Sequence, residues 1–143
     1  MLAGARWTVD GWLAPPAGVV AHGEADLPHW IAPELWVVEV DGAIVVRQHS
    51  FTGERGRLVE RVAGWDAAAP ADFLNWCIAR HPSVSCTPDD TRWNAACDAG
   101  YDAAQTAGME AEEAGGDFWA AVHAERAVQL RWITERIGTS LTR

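Results

Sequence analysis

The segment Glu34–Ser50, "ELWVVEVDGAIVVRQHS", constrains the fold of this chain more than any other. Two β-branched, apolar runs flank Asp41-Gly42. Asp-Gly is a favoured pair for a two-residue type I′ turn, because both central positions need a positive φ. The pattern therefore predicts a β-hairpin turning at Asp41-Gly42. Along its first arm, Leu35, Val37 and Glu39 alternate with Trp36, Val38 and Val40. The second set is wholly apolar and is expected to face the core. Other short β segments surround the hairpin. "ARWTVDGWL" is mixed and stops at Pro15-Pro16, and "GVVAH" is a second strand candidate. "EADLPHWIAP" reads as one helical turn closed before Pro33. "GRLVERVAGW" extends the sheet, with Leu58 and Val62 on its flanks.

The pattern turns helical near residue 65. In "WDAAAPADFLNWCIARH", Asp66 is a candidate N-cap and Pro70 sits near the helix start, where a missing N–H costs least. Phe73, Trp76, Cys77 and Arg80 follow at helical spacing. His81-Pro82 ends the helix. Thr87 or Asp89 is expected to cap a second helix, "DDTRWNAACDAGYDAAQTAGM". Its stripe of Trp93, Ala96, Cys97, Gly100, Ala104 and Ala107 is small enough to allow close approach of another helix. A third helix starts at Asp117, after Gly115-Gly116. It carries Trp119, Val122, Arg126, Leu130, Ile133 and Ile137 on one side, with Gly138 as the stop. The reading is one α+β domain over residues 1–143, mostly β over 1–64 and mostly α over 65–138. A small antiparallel N-terminal sheet packs against three C-terminal helices.

Three stretches, "PELWVVEVDGAIV", "RGRLVERVAGWDAAAPADFLNWCIA" and "GGDFWAAVHAERAVQLRWITERIG", resemble an uncharacterised group of small proteins from actinobacteria and their phages. That group joins an "LW-V-E-L-D-G-E" hairpin to an ending "W-x-A-E-R-x-x-Q-x-x-W-L-x-E-R-L-G". Here Ala124, Glu125, Arg126, Gln129, Trp132, Ile133, Glu135, Arg136, Ile137 and Gly138 match the ending. The resemblance covers roughly residues 19–138 and implies a biological setting without catalytic residues. The residues themselves suit a packed terminal helix. Glu125 is placed to pair with Gln129, Arg126 to reach a carboxylate on a neighbouring helix, and Trp132 and Ile133 to anchor the core.

The formal net charge of the 143 residues is -9. Such a chain repels nucleic-acid backbones and anionic membranes and suits a basic protein partner. The start "MLAGARWTVDGW" does not read as a secretory signal, and no apolar run approaches the ~20 residues of a membrane span. Cytoplasmic residence with reduced thiols is the expectation.

No arginine or lysine lies between Arg92 and Arg126. Asp98, Asp102, Glu110, Glu112, Glu113 and Asp117 fall in that interval. They form a candidate partner-binding face, weighed against an ordinary solvated surface. All three cysteines fall between residues 77 and 97. Cys77 and His81 stand four apart on one helix face, and Cys86 and Cys97 would complete a Cys₃His zinc set. No tight Cys-x-x-Cys turn is present, so buried inert thiols are the favoured reading. Phosphate-loop, dinucleotide and nucleophile-elbow patterns are absent. The expected function is a binding or accessory protein acting on a host protein, with no catalytic residue and no cofactor assigned. The alternatives are a zinc-stabilised adaptor, or a small enzyme drawing on His81, His123, Cys86 and nearby acids. "HAER" sets His123 and Arg126 one turn apart, where they could bind an anion.

Overall fold

A computed structural model describes residues 11–138. Its N-terminal half holds two small antiparallel sheets. β1 (Val19–Ala21), β4 (Phe51–Gly53) and β3 (Val45–Val46) form one, in the order β1-β4-β3. β2 (Trp36–Asp41) and β5 (Arg55–Arg61) form the other. A 3₁₀ segment, Glu24–His29, lies between β1 and β2. The predicted first strand falls mainly outside the described residues. Its last residue, Leu13, makes an isolated bridge to Gly56.

Asp41-Gly42 does not close a two-residue hairpin. β2 pairs with β5, from Trp36 opposite Arg61 to Asp41 opposite Arg55. A type I′ turn needs positive φ at two successive residues. Gly42 supplies one, at 88°, while Asp41 stays in the ladder. Arg55 Nε donates to the Asp41 carboxylate at 3.0 Å, and Glu54 N–H donates to the Asp41 carbonyl at 3.0 Å. Pairing with β5 gives β2 six residue pairs, whereas β3 makes only two, with β4. The longer ladder wins over the local turn signal.

The face assignment changes with it. The register shifts between Val37 and Val38. Leu35 and Val37 pack against the main core, and not the Trp36/Val38/Val40 set. Val40 instead covers Gly53 of the other sheet, where an added Cβ would fall 2.1 Å from a Val40 methyl.

The C-terminal half is α1 (Ala69–Arg80), α2 (Ala95–Glu113) and α3 (Phe118–Ile137). Asp66 does not cap α1 directly. Ala68 takes the N-cap position, and Asp66 accepts the Ala68 N–H at 3.0 Å in the turn before. α1 stops at His81, ahead of Pro82. α2 begins later than Thr87 or Asp89 would place it, with Asn94 at its N-cap. Asp89 is held in the left-handed region at φ 59°, exchanging hydrogen bonds with Asn75 at 3.3 Å each way. Trp93 therefore lies off the helix and is exposed. α3 follows the sequence closely. Asp117 accepts from Ala120 N–H at 2.8 Å, and Gly138 ends the helix at φ 79°.

The main core joins the halves. Leu27, Ile31, Val62 and Trp65 from the β half meet Phe73, Leu74, Cys77, Ala96, Ala99, Ala103 and Ile133. Each large side chain buried there contributes about 1.5–3 kcal/mol. Trp132 sits among Phe73, Trp76 and Trp65, with ring centroids 5.5, 5.6 and 6.3 Å away. The small face of α2 lets α3 approach closely, and an added Cβ at Gly108 would meet the Phe118 ring at 2.6 Å.

The Glu-Arg-x-x-Gln part of α3 stitches the helices together. Glu125, 5% exposed, receives both Arg80 terminal nitrogens, at 2.5 and 2.9 Å. Gln129 donates to the Gly100 carbonyl at 2.9 Å and to Glu125 at 3.4 Å. Arg126 does not reach a carboxylate on a neighbouring helix. Its Nη1 donates to Gln129 Oε1 at 3.0 Å and to the Pro28 carbonyl at 3.4 Å.

Candidate functional site

An open groove of about 630 Å³ lies where the 3₁₀ segment and the loop before β4 meet α2 and α3. The walls have distinct chemistry. Asp26 and His29 come from the 3₁₀ segment, and His49 from the loop. Tyr101 stands on α2, and Trp119, His123 and Arg126 stand on α3.

The loop is fixed by its neighbours. Trp30 Nε1 donates to the His49 carbonyl at 2.8 Å, and His22 Nδ1 lies 3.1 Å from the same oxygen. His22 and Trp30 stack with centroids 4.2 Å apart. Arg47 N–H closes the turn onto the Ser50 carbonyl at 2.8 Å. His49 therefore presents its ring in a set position. Its Nδ1 lies 3.2 Å from Asp26 Oδ1, and its face stacks on His29 at 3.8 Å. Nδ1 thus faces the Asp26 carboxylate, and a proton carried there would bridge the pair.

His29 is neutral at pH 7. Burial pushes its pKa down to about 4, and the positive charge of Arg126 and the His49 ring add to that. Arg126 is half-buried, and burial lowers its pKa as well. Its hydrogen-bond partners are a neutral amide and a backbone carbonyl. Among the described residues it makes no ion pair with a carboxylate. Asp26 is the sole carboxylate among the lining residues, and His49 occupies it. The groove thus holds a partly desolvated cation on its α3 wall and an acid–base pair on its N-terminal wall.

The sequence-derived acidic residues do not converge on this groove. Asp102 accepts from the Ser85 hydroxyl, Asp98 lies 3.7 Å from Arg92, and Asp117 caps α3. Glu110, Glu112 and Glu113 are carried by the last turn of α2, and all three are exposed. The cysteines are separate and free. Cys77 is fully buried, and burial pushes its thiol up to about 12. Cys86 lies against the Ala95 carbonyl and Arg92. Cys97 exchanges hydrogen bonds with the Ile31 backbone, at 3.2 and 3.4 Å. His81 Nε2 stands 3.3 Å from Glu125 Oε2 without hydrogen-bond geometry. Among the described residues, no three His, Cys, Asp or Glu side chains are grouped to hold a metal ion. Three arginines on β5 are paired, Arg55 with Asp41, Arg57 with Glu39 and Arg61 with Glu34.

Protein-family models, curated proteins and solved structures were all compared with the chain, and none matches it. Among the described residues, no helix is long and apolar enough to cross a membrane.

Sequence reasoning placed His123 and Arg126 together but missed Asp26, His29 and His49. The available signal was the clustering of three of the five histidines at positions 22, 29 and 49.

Proposed function

We propose that this chain is a binding protein whose groove holds a small anionic molecule, with Arg126 as the counter-charge. The observation that carries this reading is the half-buried Arg126 guanidinium on the groove wall, hydrogen-bonded but unmatched by a carboxylate. A desolvated cation of that kind gains most from an incoming anion. The groove volume lies in the range that holds small organic ligands, roughly 300–1,000 Å³. The acidic helical face supports a basic-partner reading less well, because Asp98, Asp102 and Asp117 already serve the fold. The proposed setting, an accessory protein of an actinobacterium or its phage, rests on the resemblance of residues 19–138.

The test is titration calorimetry with inorganic phosphate and short carboxylates at low salt. Arg126→Gln should weaken every anion about tenfold or more, the scale of one hydrogen bond to a charged group. Equal binding by the variant and the parent chain would overturn the reading.

A second reading, acid–base catalysis on the bound molecule, draws on Asp26–His49. Generic phosphate-ester and carboxylic-ester substrates test it. Turnover lost in His49→Gln, with anion binding kept, would establish it, and no turnover of either would remove it.

A further inference from the structure

We propose that the ligand is a flat aromatic ring carrying one anionic group. This inference rests on the reading of the groove as an anion site and goes beyond it to the ligand class. The groove is far larger than an inorganic anion needs. Its remaining surface is aromatic. Trp119 is 63% exposed and Tyr101 is 55% exposed, and both line it. Large aromatic side chains left in water beside a cavity are positioned to cover another ring. The stacked His29–His49 pair adds a second flat surface. Neither Trp119 nor Tyr101 is needed to close the main core. Trp119 touches only neighbours on its own helix among the described ring contacts, Phe118 at 5.1 Å and His123 at 6.5 Å. The anionic group meets Arg126, one and three residues along α3 from neighbouring wall positions, and the ring lies toward Trp119 and Tyr101. Stacking tolerates many ring types, so the shared chemistry covers nucleoside monophosphates and aromatic carboxylates alike.

The experiment is calorimetry with five probes on the full chain. Adenosine 5′-monophosphate and indole-3-acetate carry both ring and charge. Ribose 5-phosphate and acetate carry charge alone, and adenosine carries the ring alone. At least one of the first two should bind about tenfold tighter than its ring-free counterpart, and the monophosphate tighter than adenosine. Which of the two binds better identifies the source. Trp119→Ala, at an exposed position, should cost the aromatic anion roughly tenfold and leave ribose 5-phosphate unchanged. Thermal melting confirms that each variant folds. If ribose 5-phosphate or acetate matches the aromatic anions and Trp119→Ala changes nothing, the ring preference is wrong and the anion site stands. If adenosine binds as well as its monophosphate, the charged-ligand inference fails. If no anion binds at all, both readings fall together.

Discussion

Glu125 shows what one residue must do in this fold. It is almost fully buried, yet it answers Arg80 from α1 with two hydrogen bonds and accepts a third from Gln129. Leaving Arg80 without that carboxylate removes charge-assisted bonds from a partly buried site. Arg80 retains some access to water and a place over the Trp76 ring, which softens the loss. Glu125→Gln should therefore destabilise the protein by about 2 kcal/mol, measured as a drop in the urea midpoint at unchanged slope. The thiols give a second check at this scale. Burial raises the pKa of Cys77, Cys86 and Cys97 alike. No thiol should react quickly with Ellman's reagent in the native protein at pH 8, and all three should react in urea.

At the scale of elements, the ends of α3 and the strands behaved differently, for a physical reason. The ends of α3 depend on neighbours in sequence, so Asp117 and Gly138 marked them correctly. Asp117→Ala should cost about 1 kcal/mol, read from thermal or urea unfolding. Strand pairing depends on residues far along the chain. Asp41-Gly42 looked like a hairpin because a two-residue turn is a local pattern, but β5 offered β2 the longer ladder. Likewise Asp89 was available as a cap until Asn75, on α1, bound it from across the loop. The groove was hardest to foresee. Its walls come from four separated stretches, and the pairs that are close in sequence, Asp26 with His29 and His123 with Arg126, give no sign that they face one another. Gly64 illustrates the same non-local rule. An added Cβ there would fall 2.6 Å from the Ile137 carbonyl oxygen and 2.9 Å from its Cα. Backbone atoms at a helix end cannot yield cheaply, so Gly64→Ala should destabilise by about 1–3 kcal/mol. An unchanged melting temperature would show that the loop after β5 moves freely away from α3.

For the whole molecule, the groove should couple folding to pH. His29 is shifted from its ordinary 6.5 to about 4 in the folded chain, chiefly by burial and then by Arg126 and His49. Asp26 opposes the shift, and Tyr101 and His123 line the same groove. A lowered histidine pKa means that the unfolded chain accepts a proton which the folded chain refuses. Well above pH 6.5 neither state is protonated and His29 contributes no slope. As pH falls from 6.5 toward 4, the unfolded state gains protons first, and stability drops through that window. His22 is lowered by burial too and acts in the same direction. Urea unfolding at pH 7 and pH 5 measures the loss. His29→Asn should reduce it without removing it, because His22 remains. If the variant loses as much stability as the parent chain between these pH values, His29 is not the coupled group. An anion seated at Arg126 would offset the charge that helps hold His29 neutral, so binding should take up protons. Affinity for inorganic phosphate in His29→Asn should accordingly depend less on pH than in the parent chain.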